Sequence, residues 1–493
     1  MSKNIEPRTI HPYPNNVTWG DDVLMVGSEV QVHLPADLAA SLGPWMAELW
    51  QKFTLGQSQL RIVTDASEPL TFTLCKLSTP DTTLQSNDSY VLCVDAQGIS
   101  AAAVDDVSLR HAWLTLVQML QAHDLSSKDA LFALPHVVIH DRPALAFRGL
   151  HVCVFPETTL DFLHKVVHLA GLLKYSHIVL EFWGMLKLDT LKELAWPMAY
   201  SKQQVQPLLD IARDYGMQVI PMYNAWGHAA SSRLKWGRHV VLDQNPLLES
   251  LFEPDGWTWC LSNPKSRTLI KNIVVEMSQW AGPGDYFHIG CDEAYSHATC
   301  DRCRRKDRIG LWVDHLNDLS AQLQNMGRRA IMWGDPLLER AAWPKEFEAN
   351  GEPNLPTHLA IDQLSKRILI ADWHYDIFEG DVPMLSHFKQ HGYDVVSSPW
   401  HELKNIQTLA NAAQKQAALG MLTTTWNRLP QHLTMLVAAS NAGWSENLEA
   451  LDLPQGKWPR MTGALSVMVR RLVPSGGDFK RTGWNSFEAS DKD

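Results

Sequence analysis

Two rhythms of apolar and polar residues divide the chain. From Asp22 to about Val137 the pattern is mixed: Val23–Val26 is a continuous apolar run and Val30-Gln31-Val32-His33-Leu34 alternates with period two, so both predict strands. Ala36–Phe53 places Leu38, Leu42, Trp45, Met46, Leu49 and Trp50 three and four residues apart, which predicts an amphipathic helix in spite of Gly43-Pro44. Leu70–Leu77, Tyr90–Val94 and Ile99–Val104 read as further strands, the last two joined by a turn at Asp95-Ala96-Gln97-Gly98. A second helix carries Leu109, Trp113, Leu116, Val117 and Leu120 on one face.

After Leu134-Pro135 short apolar runs begin to alternate with helical segments, the signature of repeated βα units. Eight strands are expected: Gly149–Val154, His177–Phe182, Gln218–Tyr223, Tyr286–Gly290, Ala330–Trp333, Ile368–Trp373, Asp394–Ser397 and Met421–Thr425. With helices such as Leu160–Leu173 and Ser201–Tyr215 between them, they predict an α/β fold, a (β/α)8 TIM barrel behind a small N-terminal α+β domain. Two more helices, Leu433–Ala442 and Met461–Leu472, precede a polar tail. The expected division is residues 1–140 for the accessory domain, 141–435 for the barrel and 436–493 for a helical extension.

Charge and composition narrow the function. The net charge of −11 argues against nucleic acid or an anionic membrane as partner. Hydrophobic residues at 45% and charged residues at 20% are ordinary globular usage. Tryptophan is not ordinary: 20 residues outnumber the 14 Phe and the 10 Tyr, and an indole plane with a polar N–H suits the face of a sugar ring. The N-terminal stretch has no basic region followed by an apolar run, and no segment approaches 18 uninterrupted apolar residues, so a cytoplasmic chain without a membrane span is expected. The 7 cysteines are scattered and odd in number, which speaks against a disulfide framework. Cys300-x-x-Cys303, with His297 before it, has no second pair at a suitable spacing; a four-ligand zinc site is therefore not expected, nor any other metal or cofactor. The Arg302–Arg308 charge run reads as a solvated face.

In a barrel the chemistry sits just past the C-terminal ends of the strands. The fourth predicted strand ends in Asp292-Glu293, and adjacent carboxylates in unequal surroundings can divide the roles of acid and base. Here His288-Ile289-Gly290-Cys291-Asp292-Glu293 resembles the H-x-G-x-D-E signature of glycoside hydrolase family 20, the β-N-acetylhexosaminidases. Asp141-Arg142-Pro143 through Arg148-Gly149, Val219-Ile220-Pro221 through Gly227-His228, and Leu261-Ser262-Asn263-Pro264 resemble other motifs of that family, in the same order.

The resemblance implies exo-removal of terminal β-linked N-acetylglucosamine or N-acetylgalactosamine from an amino-sugar oligosaccharide or glycoconjugate, with retention and without a cofactor. It implies Glu293 as acid and base, Asp292 as the group that orients the 2-acetamido nucleophile, and Arg148 as a ligand of sugar hydroxyls. Trp333, Trp373 and Trp426 become candidate walls, Tyr375 the candidate donor to the acetamido carbonyl, and His228 and Glu181 further binding residues, with Glu181 in place of an aspartate that normally partners the histidine. The chain departs from the family's W-x-E at Trp426-Asn427-Arg428. A homodimer, a sugar sensor without turnover, and a glycosidase using Glu181 or Asp335 as covalent nucleophile complete the set of expectations.

Overall fold

The computed structural model describes residues 10–64, 72–76, 90–122, 132–229, 238–426, 429–446 and 458–473. Among the described residues the N-terminal domain is one sheet of eight strands: β1 (Asn16–Val26), β2 (Glu29–His33), β3 (Gln59–Val63), β4 (Phe72–Lys76), β5 (Tyr90–Asp95), β6 (Gly98–Ala103), β7 (Gln121–Ala122) and β8 (Phe132–Asp141). Helices α1 (Ala36–Phe53) and α2 (Asp106–Met119) lie against it. α1 buries Leu38, Leu42, Trp45, Met46, Leu49 and Trp50, the stripe that the spacing predicts. The sequence gives no hint of β8 as a strand, because Pro135 reads as a breaker. In the sheet β8 pairs with β5 from Val137 onward and with β7 at Phe132 and Ala133. Pro135 falls between those two stretches, and on its other side it faces Val23 of β1 next to a register shift between Trp19 and Val23, an irregularity of the kind at which a strand proline is tolerated.

The second unit is a closed barrel of eight parallel strands: β9 (Phe147–Val154), β10 (His177–Phe182), β11 (Gln218–Met222), β12 (Tyr286–His288), β13 (Arg329–Trp333), β14 (Leu369–Trp373), β15 (Val395–Ser398) and β16 (Gly420–Thr423). β16 closes on β9, with Gly420 opposite Phe147. Phe147, Val179, Ile220, Ile331, Leu369, Val396 and Leu422 fill the interior, and each such side chain contributes about 1.5–3 kcal/mol on burial.

Around the barrel run α3 (Leu160–Leu172), α4 (Lys202–Asp214), α5 (Pro264–Ala281), α6 (Arg308–Asn325), α7 (Pro383–Gln390), α8 (Leu403–Lys415) and α9 (Leu433–Trp444). The local code is visible in α4: a capping box of Ser201 and Gln204 starts it, and Val205, Leu208, Leu209 and Ala212 form its buried stripe. Two boundaries differ from the sequence reading. Between β13 and β14 the chain makes only short 3-10 turns, at Asp335–Leu337, Arg340–Ala342 and Thr357–Ala360. The helix α9 runs through the expected break at 435/436 and serves as the barrel's last helix. Helix α10 (Trp458–Leu472) packs against α3, α9 and α1, with Arg471 Nη1 donating to Phe53 O at 3.0 Å, so residues 458–473 bridge barrel and accessory domain instead of standing apart.

Candidate active site

At the C-terminal mouth β12 is short because the chain leaves the sheet at once. Gly290, Cys291 and Glu293 have φ of +66°, +78° and +46°, and His228 on the loop after β11 has +52°. For the three non-glycine residues this region costs on the order of 1–3 kcal/mol each, and such strain clusters at functional sites. The two loops press directly on one another. A Cβ on Gly290 would lie 2.1 Å from Asn224 Oδ1, and one on Gly227 would lie 2.0 Å from Asp292 O, so only glycine permits the approach.

The approach brings His228 Nε2 to 3.2 Å from Asp292 Oδ2 and 3.2 Å from Glu293 Oε2. Burial opposes charge on this imidazole, but the Asp292 carboxylate and then Glu293 outweigh it and raise the pKa to about 10. Burial also raises the Asp292 carboxyl above the usual range, against the pull of His228. Around Glu293 every nearby group is fixed. Its backbone carbonyl accepts from Trp257 Nε1 at 2.8 Å, its N–H points at Asp335 Oδ2 at 3.4 Å, and Tyr295 Oη donates to Oε1 at 2.8 Å. Asp335 is itself held by Trp373 Nε1 at 2.9 Å and Asn350 Nδ2 at 2.5 Å. Burial and then the Asp292 charge push the Asp335 carboxyl well above its ordinary pKa.

His228, Asp292 and Glu293 form one wall of a cleft of about 230 Å3. Trp183, Trp373, Tyr375, Trp400 and Trp426 make the rest. Tyr375 is the hub of the aromatic cage, with ring centroids 5.0 Å from Trp373 and 5.2 Å from Trp400, and its oxygen accepts from Trp426 Nε1 at 2.5 Å. The cage offers apolar faces beside a charged edge, which suits a ligand with C–H faces and polar rims.

Among the residues singled out in the sequence, Asp292, Glu293, His228, Trp373, Tyr375 and Trp426 line one cavity. Three other candidates do not reach it. Arg148 is the second residue of β9, at the opposite end of the barrel; its guanidinium donates to Leu145 O at 2.8 Å and Lys174 O at 3.2 Å and covers the Trp444 ring at 5.0 Å. Glu181 is buried beneath the cleft, where Oε2 meets His151 Nε2 at 2.9 Å and Oε1 accepts from Asn224 Nδ2 at 2.6 Å. It is not the partner of His228, whose contacts are the two site carboxylates. Trp333 is wholly buried below the floor, 4.5 Å from the His288 ring and 5.5 Å from that of Trp426, because a side chain on the last strand residue still points into the barrel. Trp183 and Trp400, which no motif in the sequence marks, also line the cleft; they sit one and two residues beyond β10 and β15.

Among the described residues three sets of side chains could hold a cation: His228 with Asp292 and Glu293, His151 with Cys153 and Glu181, and Glu253 with Cys260, Cys300 and Cys303. No helix of the described residues is long and apolar enough to cross a membrane.

Two family models match the chain: "Glycosyl hydrolase family 20, catalytic domain" over residues 176–466 and "Glycosyl hydrolase family 20, domain 2" over residues 8–142. A beta-hexosaminidase of Porphyromonas gingivalis is 22% identical over 365 residues, 68% of this chain and 46% of the relative. Beta-hexosaminidase subunit A1 of Dictyostelium discoideum is 22% identical over 362 residues, 67% of this chain and 64% of the relative. The chain thus spans about half the length of the curated relatives it matches. In fold it is similar to a GH20 exo β-N-acetylglucosaminidase from Vibrio harveyi, with TM-score 0.70 at 16% identity over 95% of this chain and 78% of the other.

Proposed function

The chain belongs to glycosyl hydrolase family 20, and from that premise we propose that it is a retaining exo-β-N-acetylhexosaminidase. Its substrate class is a non-reducing terminal β-linked GlcNAc or GalNAc on an oligosaccharide or glycoconjugate, cleaved with the help of the substrate's own 2-acetamido group. The observation that carries this reading is the Asp292–Glu293 pair, bridged by His228 at 3.2 Å to each, on the charged wall of a cleft otherwise made of indole and phenol rings.

Glu293 gives a proton to the departing glycosidic oxygen while the acetamido carbonyl oxygen attacks the anomeric carbon. Asp292 accepts the acetamido N–H and its negative charge stabilises the positive charge of the resulting oxazolinium; its Oδ1 accepts no hydrogen bond from the described residues, so an acceptor is unspent. Tyr375 donates to the acetamido carbonyl. Its oxygen accepts from Trp426 Nε1 and lies 3.3 Å from Thr424 Oγ1, and burial holds the phenol well above its usual pKa, so the phenol stays protonated and able to donate. Water then adds at the anomeric carbon, loses its proton to Glu293, and the acetamido group is released. Glu181 and Asp335 do not line the cleft and are both held by hydrogen bonds from His151 and Trp373, which argues against either as a covalent nucleophile.

The test is hydrolysis of 4-nitrophenyl β-glycosides of GlcNAc, GalNAc, glucose and galactose by wild type and Glu293→Gln. Release from the two acetamido sugars only, lost in the variant, is expected; turnover of the glucoside would mean a protein nucleophile, and GlcNAc binding without release from any sugar would mean a sensor. The departure from W-x-E at Trp426-Asn427-Arg428, of which residues 427 and 428 lie outside the described residues, further predicts similar kcat/KM for the gluco and galacto substrates.

A further inference from the structure

The loop that carries Asp292 and Glu293 continues into a second cluster with no place in the sugar chemistry. Cys260 Sγ lies 3.5 Å from Cys300 Sγ and 3.6 Å from Cys303 Sγ. With an oxygen of Glu253 they form a set of four ligand atoms all within 4.8 Å of one another. We propose that Cys260, Cys300, Cys303 and Glu253 form a structural site for one zinc ion.

Tetrahedral coordination with Zn–S bonds of about 2.3 Å sets neighbouring sulfurs about 3.8 Å apart, so the two separations from Cys260 stand within a few tenths of an ångström of ligand spacing. The carboxylate is the second, independent observation. Glu253 is 1% exposed; its Oε2 accepts from Cys300 N at 2.7 Å and Thr299 N at 3.0 Å, while its Oε1 is buried and has no hydrogen-bond partner among the described residues. A buried carboxylate whose Oε1 meets no N–H or O–H donor, with the Cys303 thiol as its weak partner, offers that oxygen to a cation beside three thiols. Three soft sulfurs select zinc over calcium or magnesium. On loading, the cysteines bind as thiolates and release their protons to solvent.

His297, the histidine three residues before Cys300, is not a ligand: Nδ1 accepts from Trp226 Nε1 at 3.0 Å and Nε2 lies 3.0 Å from Arg308 O. The fourth ligand is instead Glu253, and the third cysteine comes from the loop before α5, 40 residues away from Cys300. The ion would therefore staple the segment before α5 to the loop after β12. The same two segments are joined by Trp257 Nε1 to Glu293 O at 2.8 Å and Ser296 Oγ to Thr258 Oγ1 at 2.9 Å. Zinc thus holds in place the tryptophan that fixes the Glu293 backbone.

The experiment is metal analysis of the full chain purified under reducing conditions without added metal, followed by mercurial titration with a colorimetric zinc indicator. About one zinc per chain, released as the cysteines are modified, is expected. Cys303→Ser should abolish retention and Glu253→Gln should weaken it, each lowering Tm. Should those variants fail to fold, cobalt substitution of the wild type replaces them: a tetrahedral cobalt–thiolate spectrum is expected. Chelator-treated protein that neither gains Tm with zinc nor gives that spectrum would overturn the site, as would a Cys260–Cys300 disulfide in the reduced preparation. These readouts are metal content, spectrum and Tm, so they stand or fall separately from the hexosaminidase reading.

Discussion

The two ends of the barrel both bury charge, and they do so to opposite purposes. At the N-terminal face Asp141 accepts from Tyr90 Oη at 2.7 Å, Trp444 Nε1 at 2.9 Å and Asn15 N at 3.0 Å, with Lys174 Nζ 3.7 Å away. Both oxygens of that carboxylate have donors, and the groups come from the accessory sheet, the barrel and α9, so the cluster welds three parts of the chain. At the C-terminal mouth two carboxylates, Asp292 and Glu293, share one imidazole, with Asp335 at the Glu293 backbone N–H behind them; Asp292 keeps an oxygen without a donor; and three non-glycine residues hold left-handed φ, against Lys174 alone in the cluster at the base. Satisfied polar networks rigidify a fold, whereas unsatisfied and strained ones hold free energy in reserve for a ligand.

The difference predicts that mutations at the two ends separate activity from stability. The largest effect is expected from Glu293→Gln, which should lower kcat about 10^3-fold, roughly 4 kcal/mol of barrel-mouth chemistry, with Tm close to wild type. Asp141→Ala should do the reverse: about 3–4 kcal/mol of stability lost in denaturant titration, because Lys174 is left buried and unpaired, with unchanged turnover per folded molecule. Arg148→Met belongs with it; a raised KM for the GlcNAc glycoside would return Arg148 to the sugar site. Tyr375→Phe removes one donor and should cost about 10–30-fold in kcat/KM on acetamido substrates, on the order of 2 kcal/mol. A loss equal on all four aryl glycosides would make it a packing residue only.

The smallest effect is in pH dependence, and its sign differs between the ends. His228 titrates at about 10 against an ordinary 6.5, so its contribution is complete below about pH 6.5 and is lost as pH rises through 10. Lys174 is depressed by burial to about 8 from 10.5, the Asp141 charge offsetting only part, so its buried ammonium costs stability below pH 8 and the cost fades toward 10.5. Between pH 8 and 10 the Tm profile of His228→Gln should therefore lose a falling component and that of Lys174→Met a rising one. Parallel profiles would show that the two clusters do not differ electrostatically.

Much of the architecture was legible in local pattern. The strand His177–Phe182 and the helix Ala36–Phe53 match residue for residue, because the periodicity of apolar positions is a short-range property of the chain. β8 was not legible, since a proline looks the same whether or not a partner requires its N–H. Of the site, Asp292, Glu293 and His228 lie in motifs that could be read. Trp333 and Trp373 could not be told apart: both end strands, yet one faces into the barrel and the other lines the cleft.

What the sequence by itself determined is the order of elements, the barrel class and the identity of the carboxylate pair, all encoded within a few consecutive residues. Which end of a strand a side chain serves, which carboxylate meets which histidine, and the meeting of Cys260 with Cys300 and Cys303 were decided only when the loops closed on one another. These are contacts between residues tens to hundreds of positions apart. Their distances depend on loop paths and glycine-permitted approaches, and no spacing along the chain records them.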